Sequence, residues 1–235
     1  MKSQDIARAY DKSYTTPNYF GDKRWLFRPF VKALIAEAGL SPGASVLDAA
    51  CGQGFFAGLL AEQGMDVLGV DLSAVGIESA KRTYGQSGAR FEVGDILQLP
   101  YDRKFDCVFI RSCSLYNTVE FAKDTAVTDR LLRYVKEGGV LIFDYYTRLS
   151  TGRHSSAWRY HSLAEVREHF SRYRGAQVCF SVRLESRLLG RLSFLSTMST
   201  LSALASRTTG IGGELVAFVR PGPAPSSTYA CVTQE

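Results

Sequence analysis

The sequence predicts an α/β fold, in which an open and mostly parallel sheet carries helices on both faces and ends with an antiparallel strand. Three observations lead to this prediction. Apolar, strand-like segments alternate with helix-forming segments from Val46 to Asp144, which is the pattern of β-α-β units. The first of these segments leads through an aspartate into two glycines, Gly52 and Gly54, directly before a helix. Two more apolar segments near the C-terminus can pair as antiparallel neighbours.

The first strand and the turn after it predict a nucleoside pocket. The strand Val46–Ala49 is followed by the two glycines, and a helix is expected from about Phe55 to Gln63. Glycine lets backbone amides approach a ligand where a Cβ atom would clash, and the first turn of the helix directs its free amides toward that ligand. The second strand, 66–70, ends in Asp71, whose carboxylate can accept hydrogen bonds from both hydroxyls of a ribose.

The next strands continue the pattern. The third strand, Arg90–Val93, is closed by Asp95, a carboxylate at a third strand end where an adenine amino group could be bound. A fourth strand is expected at Phe105–Ile110. A helix is then predicted to run to Val135 and to stop at a glycine pair, after which the fifth strand covers Val140–Asp144.

The C-terminal third predicts one well-marked helix and a closing pair of strands. Ser162 to Glu165 forms a capping box that fixes the start of the helix. The strand Gln177–Val182 should be the antiparallel partner of Glu214–Val219. Between them, 186–212 is rich in Ser, Thr and Leu, and we interpret it as a further helix over the pocket.

In this order of elements the chain resembles the class I S-adenosylmethionine-dependent methyltransferases, over roughly Val46 to Asp144. The resemblance implies a Rossmann-like sheet of seven strands and S-adenosylmethionine as the cofactor. It also implies that the glycine turn holds the methionine part, the end of the second strand the ribose, and the end of the third strand the adenine. The matching residues are Asp48, Cys51, Gly52 and Gly54, then Asp71 with Leu72, and Asp95 with Ile96. Ala50 departs from the pattern, because it stands in the same turn where the family most often has glycine, and alanine narrows the allowed backbone angles.

The alternative is a dinucleotide-binding dehydrogenase, because Gly52, Gly54 and Ala57 also satisfy the G-x-G-x-x-G/A fingerprint. Two features argue against it. Dinucleotide-binding domains usually open close to the first strand, whereas 45 residues precede it here, and no second domain remains to hold a hydride acceptor. We therefore favour the methyltransferase interpretation.

The segment 1–44 is aromatic and polar, and we predict that it forms a helical lid. Tyr10 and Tyr14 lie four residues apart on one helix face, which is also the spacing of ordinary packing residues. The resemblance implies that lid tyrosines contact the methionine end of the cofactor, and Tyr14 and Tyr19 are the better candidates. Such a lid excludes water from the reacting sulfonium.

Substrate residues are expected beyond the carboxyl ends of the strands, where open α/β sheets bind their ligands. Arg111 and Ser112, after the fourth strand, should lie nearest the cofactor. Tyr116, Asn117 and Tyr146 should face the methyl acceptor. A general base is needed only for an acceptor that must lose a proton; His154 is the first candidate for a catalytic group and Tyr146 the second.

Composition predicts one cytoplasmic domain without a metal. The five cysteines form no C-x-x-C pair and the three histidines no cluster at metal spacing, so we expect reduced thiols and no metal site. The N-terminus lacks the apolar segment of a signal peptide, and no apolar run is long enough to span a bilayer. We expect 1–235 to be a single domain, with the cofactor-binding core at 45–147, substrate-side and C-terminal strands at 148–220, and a Pro-rich tail at 221–235.

The charge of the chain is uneven. From Arg148 onward there are eleven arginines, no lysine and five carboxylates, which gives 11 − 5 = +6. A basic region can bind nucleic acid or an acidic or phosphate-bearing small substrate. However, Arg183 stands between apolar residues, as on the solvated face of an antiparallel strand, and we favour that interpretation over nucleic-acid binding.

Together these observations predict a methyltransferase that transfers a methyl group to nitrogen or oxygen of a small molecule, as a monomer or homodimer and without a membrane partner. An RNA or protein methyltransferase is a second possibility. Against it, the chain lacks an appended RNA-binding module, and Arg111 to Ser114 replaces the Asn/Asp-Pro-Pro-aromatic tetrad after the fourth strand. A protein that binds the cofactor without turnover is a third.

Overall fold

A computed structural model describes residues 3–18, 20–149 and 158–221. Within them, one sheet of seven strands has the order β3-β2-β1-β4-β5-β7-β6. β7 is antiparallel to both of its neighbours, and the other pairs are parallel. The predicted fold class is therefore confirmed. The strands are β1 Ser45–Ala49, β2 Asp66–Asp71, β3 Arg90–Val93, β4 Phe105–Arg111, β5 Val135–Thr147, β6 Gln177–Ser181 and β7 Gly213–Val219.

Eight α-helices accompany the sheet in the described part of the chain. They are α1 Ser3–Ser13, α2 Arg24–Ala38, α3 Phe55–Ala61, α4 Ala74–Tyr84, α5 Ala126–Leu132, α6 Leu163–Phe170, α7 Arg183–Leu189 and α8 Ser196–Thr209. None of these helices combines the length and the apolar character that a bilayer crossing requires.

The central strands are buried on both faces, which explains their nearly continuous apolar sequences. Successive residues of a strand point to opposite faces, so Val46 belongs to one core cluster and Leu47 to the other. The first cluster includes apolar side chains of α2, α3 and α4, such as Phe27. The second includes those of α5 and α6, such as Phe170. The helices thus cover both faces of the sheet.

The strand order places a crevice at the carboxyl ends of β1 and β4. β1 and β4 are neighbours at the centre of the sheet. The connection after β1 leads to β2 on one side, whereas the connection after β4 leads to β5 on the other side. A ligand crevice forms at such a switch point in open α/β sheets. The geometry of the sheet alone therefore indicates where the site lies.

The structure corrects the junction between α5 and β5. The helix ends at Leu132 rather than at Val135, and the strand already begins at Val135. The register shifts between Phe105 and Cys107, and Gly138 has a positive φ of 76°. The glycine pair is therefore part of an irregular stretch of β5 and not the end of a helix, because glycine accepts the left-handed backbone of a bulge.

The segment after β6 also differs from the prediction. β6 ends at Ser181 and Arg183 begins α7, so Arg183 does not lie on the solvated face of a strand. The further helix predicted within 186–212 exists as α8, but it packs on β6 instead of covering the crevice. The Ser199 hydroxyl accepts a hydrogen bond of 2.7 Å from the Phe180 N–H and so satisfies one backbone donor of this edge strand.

Candidate functional site

A cavity of about 330 Å³ lies at the carboxyl ends of β1, β2 and β4. This volume is at the lower end of the range for small-molecule sites. Many of the predicted site residues meet in its wall: Tyr14, Asp48, Ala50, Cys51, Gly52, Asp71, Leu72, Asp95, Ile96, Arg111 and Ser112. Tyr19 and His154, the other predicted lid tyrosine and the predicted base, lie outside the described residues.

The turn after β1 uses three residues with left-handed backbone. Gly52 and Gly54 have φ values of 54° and 79°, and Ala50 has a φ of 61°. Gly54 does not face the cavity. A Cβ atom there would lie 2.7 Å from the Ala80 Cβ and 2.8 Å from the Phe91 ring, so this glycine allows α3 to pack closely against its neighbours. Ala50 adopts a conformation that costs a non-glycine residue about 1–2 kcal/mol.

Asp71 is held rigidly at the end of β2. One carboxylate oxygen accepts a hydrogen bond of 2.8 Å from the Gly52 N–H, and the other accepts one of 2.9 Å from the Ser73 N–H. The side chain is buried, and this burial raises the pKa of Asp71 despite the two donors. Each carboxylate oxygen can accept a second hydrogen bond, so Asp71 can still bind a pair of ligand hydroxyls.

Asp48 lies deeper in the same cavity. Its Oδ2 is buried and has no hydrogen-bond partner within the described part of the chain. Burial, followed by the charge of Asp71, raises the pKa of Asp48 to about 7, although the Ala57 N–H and Arg111 oppose the shift. A buried carboxylate oxygen without a donor is costly, and a bound cation or N–H donor removes that cost.

Asp95, after β3, has both carboxylate oxygens engaged by its own turn. Oδ1 accepts a hydrogen bond from the Leu97 N–H at 2.9 Å, and Oδ2 accepts one from the Gln98 Nε2 at 3.0 Å. Ile96 is buried beside it and lines the cavity. This corner therefore offers an ordered acceptor and an apolar wall to a planar ligand.

The helix α1 covers one side of the cavity. The Tyr14 ring lies over the glycine turn, because a Cβ atom at Gly52 would be 2.8 Å from the Tyr14 hydroxyl. Asp11 fixes the helix to α4: its Oδ1 accepts hydrogen bonds from the Ser73 hydroxyl at 2.6 Å and the Val75 N–H at 3.2 Å. The Gln53 Nε2 donates to the Tyr14 and Thr16 carbonyl oxygens, at 3.2 Å each.

Only part of the segment 1–44, for which a lid was predicted, lies at the cavity. α1 and the residues that follow it contact the cavity, whereas α2 belongs to the core and buries Phe27, Phe30 and Leu34. Sequence reasoning identified the aromatic character of this segment but missed Asp11. Its role depends on a contact with Ser73, 62 positions along the chain.

Arg111 lies in the floor of the cavity within a buried charge cluster. Its Nε is 2.9 Å from an Asp144 carboxylate oxygen, and its Nη2 is 3.0 Å from a Glu214 carboxylate oxygen. The rings of Phe20, Phe27 and Phe56 surround the guanidinium, with centroids 5.1, 5.5 and 4.7 Å from its carbon. The two carboxylates raise the pKa of Arg111 more than burial lowers it. Because the two acids together more than offset its charge, Arg111 offers no free cation to an acidic substrate.

The three predicted acceptor residues do not line the cavity. Tyr116 is 2% exposed, and its hydroxyl lies 3.0 Å from the Thr128 hydroxyl in the core. The Asn117 Oδ1 accepts a hydrogen bond from the Arg159 N–H, and the Tyr146 hydroxyl accepts one from the Arg148 Nε. The reason is the 3₁₀ turn at Ser114–Tyr116, which turns the chain inward so that Ser114 and Leu115 face the cavity instead. The expectation that Tyr116, Asn117 and Tyr146 face a substrate in this cavity therefore does not agree with the structure.

Two buried histidines lie behind this turn and stack on the two faces of one ring. The centroids of His161 and His169 are 4.2 and 4.5 Å from that of Phe121. The His161 Nε2 is 2.7 Å from the Tyr116 carbonyl oxygen, and the His169 Nδ1 is 2.7 Å from the Phe121 carbonyl oxygen. Because a carbonyl can only accept, both nitrogens donate, and the His169 Nε2 then accepts from the Thr128 hydroxyl at 2.8 Å. Burial lowers the pKa of both histidines.

No group of three or more His, Cys, Asp and Glu side chains in the described ranges is arranged to hold a metal ion. The site is instead a partly apolar cavity with three carboxylates in its wall and a neutralised arginine in its floor. Such a cavity can bind a ligand that carries hydroxyls, a planar ring and positive charge.

Comparisons with known proteins agree with this geometry. Residues 40–192 match a family model described as a methyltransferase domain. A putative methyltransferase of Geobacillus sp. (strain WCH70) is 31% identical over 149 residues, which are 63% of this chain and 58% of that protein. The demethylmenaquinone methyltransferase of Beutenbergia cavernae is 32% identical over 139 residues, which are 59% of this chain and 53% of that protein. The matched region thus spans little more than half the length of these curated relatives.

Solved structures share the fold at low sequence identity. The [4+2]-cyclase SpnF matches with a TM-score of 0.63 and 16% identity, over 95% of this chain and 98% of that chain. The phosphoethanolamine N-methyltransferase 2 of Haemonchus contortus, in complex with S-adenosyl-L-methionine, matches with a TM-score of 0.58 and 19% identity, over 85% of this chain and 56% of that chain. At these identities the likeness establishes the fold alone.

Proposed function

The chain belongs to the class I S-adenosylmethionine-dependent methyltransferases, and on this premise we propose that it transfers a methyl group to a nitrogen or oxygen atom of a small molecule. The observation that carries the proposal is the pair of buried carboxylates in one cavity. Asp71 is fixed by two backbone donors, and Asp48 has a buried oxygen without a partner in the described structure.

These residues fit a cationic nucleoside better than a dinucleotide. In this proposal Asp71 accepts hydrogen bonds from the ribose hydroxyls, and Asp48 accepts one from the positive amino group of the methionine part. Asp95 and Ile96 supply a polar and an apolar contact for the adenine. The pyrophosphate of NAD, in contrast, carries negative charge, which these buried carboxylates disfavour.

When bound, S-adenosylmethionine supplies an electrophilic methyl group on a positively charged sulfur. The work of the chain is to hold the acceptor in line with that methyl group and to exclude water. α1 and Tyr14 cover the cavity above Gly52. In the floor, the ion pairs with Asp144 and Glu214 hold the Arg111 guanidinium in position.

The shape and charge of the cavity support a small acceptor that is neutral or cationic. α1 covers one side of the cavity and narrows the space open to a macromolecular substrate, which supports a small acceptor. Three carboxylates line the wall and the charge of Arg111 is balanced, which disfavours a phosphate or carboxylate on the acceptor. Tyr10 and Ser114, whose side chains form a hydrogen bond, each present a hydroxyl group in the cavity wall.

An amine that arrives neutral needs no base, whereas an alcohol or phenol does. His154 remains the proposed base for such an acceptor. His161 and His169 are buried in the core, where His161 donates through its Nε2 and His169 uses both ring nitrogens, and the Tyr146 hydroxyl accepts a hydrogen bond from Arg148. The four described cysteines are free, which supports the proposal that the enzyme works in a reducing compartment such as the cytoplasm.

The first test is calorimetric titration of the purified protein with S-adenosylmethionine, S-adenosylhomocysteine and NAD. We expect binding of both sulfur nucleosides and none of NAD. Asp71→Ala should abolish this binding, whereas Asp66→Ala is the matched control, because Asp66 lies at the opposite end of the same strand and is half exposed. Binding of NAD alone would contradict the proposal.

The second test separates turnover from binding. Release of S-adenosylhomocysteine is measured with collections of amines, phenols, anionic acceptors, RNA and protein. Turnover of neutral or cationic small molecules supports the proposal. Turnover of RNA or protein alone favours the macromolecular alternative, and tight binding without any turnover favours a protein that uses the cofactor without methyl transfer.

A further inference from the structure

A face of exposed leucines covers the β6 side of the molecule. It is formed by α7, by the 3₁₀ turn at Gly190–Phe194 and by α8. The turn contacts both helices, α7 and the turn pack on α2, and α8 packs on β6. We call it the leucine face. Its members, each between 37% and 77% exposed, are Leu184, Leu188, Leu189, Leu192, Leu195, Leu201 and Leu204.

The arrangement of α8 makes this face unusual. The helix turns Ser199, Ser202 and Ser206 toward the protein and leaves Leu201 and Leu204 each 60% exposed. The inward serines have specific partners, including the Phe180 N–H, and thus serve the edge of the sheet. An amphipathic helix of a soluble domain normally places its leucines inward. In α8 the serine side packs against the protein, and the leucine side is exposed and available for contact with another surface.

The charge of the same segment is positive. Positions 183–212 contain four arginines and one acidic residue, Glu185. The Glu185 carboxylate is directed at partners within the protein: its Oε2 accepts hydrogen bonds from the Val182 N–H and the Ser202 hydroxyl. Arg187 and Arg191 are exposed beside Leu188 and Leu192, and Arg207 is exposed on α8. Arg191 remains 65% exposed although its Nε lies 3.5 Å from a Glu37 carboxylate oxygen. The leucine face therefore combines apolar side chains with an excess of exposed cations.

An exposed tryptophan adjoins this face. Trp25, at the start of α2, is 60% exposed, and the Arg187 guanidinium carbon lies 5.5 Å from its ring centroid. Tryptophan and arginine are the side chains that settle at the boundary between lipid headgroups and acyl chains. Phe20, five residues earlier in the chain, lines the cavity beside Arg111, so the same stretch of chain contributes to the face and to the site.

We infer that the leucine face binds the surface of an anionic lipid bilayer. Exposed leucines that alternate with arginines along the chain can enter the acyl boundary while the cations bind the headgroups. A second copy of the chain fits less well, because a symmetric contact would bring the arginines of both faces together. The binding is superficial and involves no spanning segment, and it revises the sequence-based expectation that the chain has no membrane partner.

The test is cosedimentation of the full chain with lipid vesicles. One set contains phosphatidylcholine alone, and the other contains phosphatidylcholine with phosphatidylglycerol. We expect binding to the anionic vesicles that weakens with added salt, together with quenching of Trp25 fluorescence by brominated lipid. Trp25→Phe should remove the quenched component.

Substitutions distinguish the leucines from the arginines. Leu188→Ser and Leu192→Ser should each weaken vesicle binding about tenfold, and Arg187→Gln and Arg207→Gln about fivefold each. Val119→Ser and Arg82→Gln are the matched controls, since Val119 is 72% exposed and Arg82 is an exposed residue of α4. Neither control should change the binding.

Three outcomes would overturn the inference. The first is the absence of cosedimentation with either kind of vesicle. The second is binding that the leucine and arginine variants leave unchanged. The third is a concentration-dependent dimer in light scattering that Leu188→Ser abolishes, because the leucine face would then be covered by a second copy. The vesicle assay needs no cofactor or acceptor, so its failure would leave the proposed methyl transfer untouched.

Discussion

The Cβ methyl group of Ala50 disfavours the backbone conformation that the turn after β1 requires at this residue. Its left-handed φ of 61° lies in a turn where the next two left-handed positions are glycines. The backbone amides of this turn define one wall of the cavity, so the conformation cannot relax without moving Gly52, whose N–H holds Asp71. The turn therefore retains the backbone strain of Ala50.

We predict that Ala50→Gly stabilises the protein. The substitution removes about 1–2 kcal/mol of left-handed strain, and the greater freedom of glycine in the unfolded chain offsets about 0.5–1 kcal/mol of it. The midpoint of thermal unfolding should rise by about 1–4 °C. Ala49→Gly, in the adjacent strand β1, should lower it. Equal destabilisation by both substitutions would show that the φ of residue 50 costs nothing.

The buried Asp48 predicts that cofactor binding depends on pH. With its pKa raised to about 7, Asp48 is partly protonated in the free protein at neutral pH. A cationic ligand binds better to the ionised form, so the affinity for S-adenosylmethionine should fall as the pH drops below 7, by up to about tenfold per pH unit. Calorimetry at several pH values measures this change. Asp48→Asn has a similar shape but cannot titrate, and it should bind weakly with a flat pH profile; a slope retained in this variant would assign the proton elsewhere.

At the scale of elements, α1 depends on very few contacts. Asp11 connects it to the first turn of α4, the Tyr10 side chain hydrogen-bonds to Ser114, and Gln53 binds the chain just after it. Few buried apolar contacts and a small number of exposed hydrogen bonds are characteristic of segments that open locally. We therefore expect α1 to open without unfolding of the sheet.

Asp11→Ala should loosen α1 selectively. The amide hydrogens of residues 5–13 should exchange faster, and S-adenosylhomocysteine should dissociate more rapidly, while the unfolding midpoint changes little. Hydrogen exchange followed by mass spectrometry and stopped-flow release measure the two effects. Asp5→Ala changes an exposed carboxylate of the same helix and should alter neither. Unchanged exchange in Asp11→Ala would mean that the tyrosine contacts alone hold α1 in place.

The sequence predicted elements where local signals are strong and failed where distant contacts decide. The capping box at Ser162 formed as expected, because both of its hydrogen bonds lie within four residues. The carboxylates at the ends of β1 to β3 met in one cavity, because parallel strands bring their ends to the same edge. Tyr116 was misplaced, since the direction of a 3₁₀ turn depends on core partners such as Thr128 and His169. Glu214 was missed because its partner Arg111 lies 103 positions earlier.

At the scale of the whole molecule, the two buried histidines link stability to pH. Their folded-state pKa values lie below the ordinary value of 6.5, so the unfolded chain binds more protons than the folded one as the pH falls. Their contribution to the free energy of unfolding is present above pH 6.5 and is lost progressively below it. Urea unfolding between pH 8 and pH 5 should show this loss. His161→Gln with His169→Gln should be less stable at pH 8 and show a smaller loss; an unchanged slope would exclude the histidines as its source.

The position of β7 has a consequence for the order of biosynthesis. This strand is the last of the described sheet along the chain, yet it lies between β5 and β6, and β6 has no other strand partner in the described structure. It also supplies Glu214, one of the two acids beside Arg111. A nascent chain that has not yet released residues 213–219 from the ribosome can therefore neither attach β6 nor supply the second of the two acids beside Arg111. Completion of the sheet and completion of the charge cluster in the floor of the site are the same event in translation.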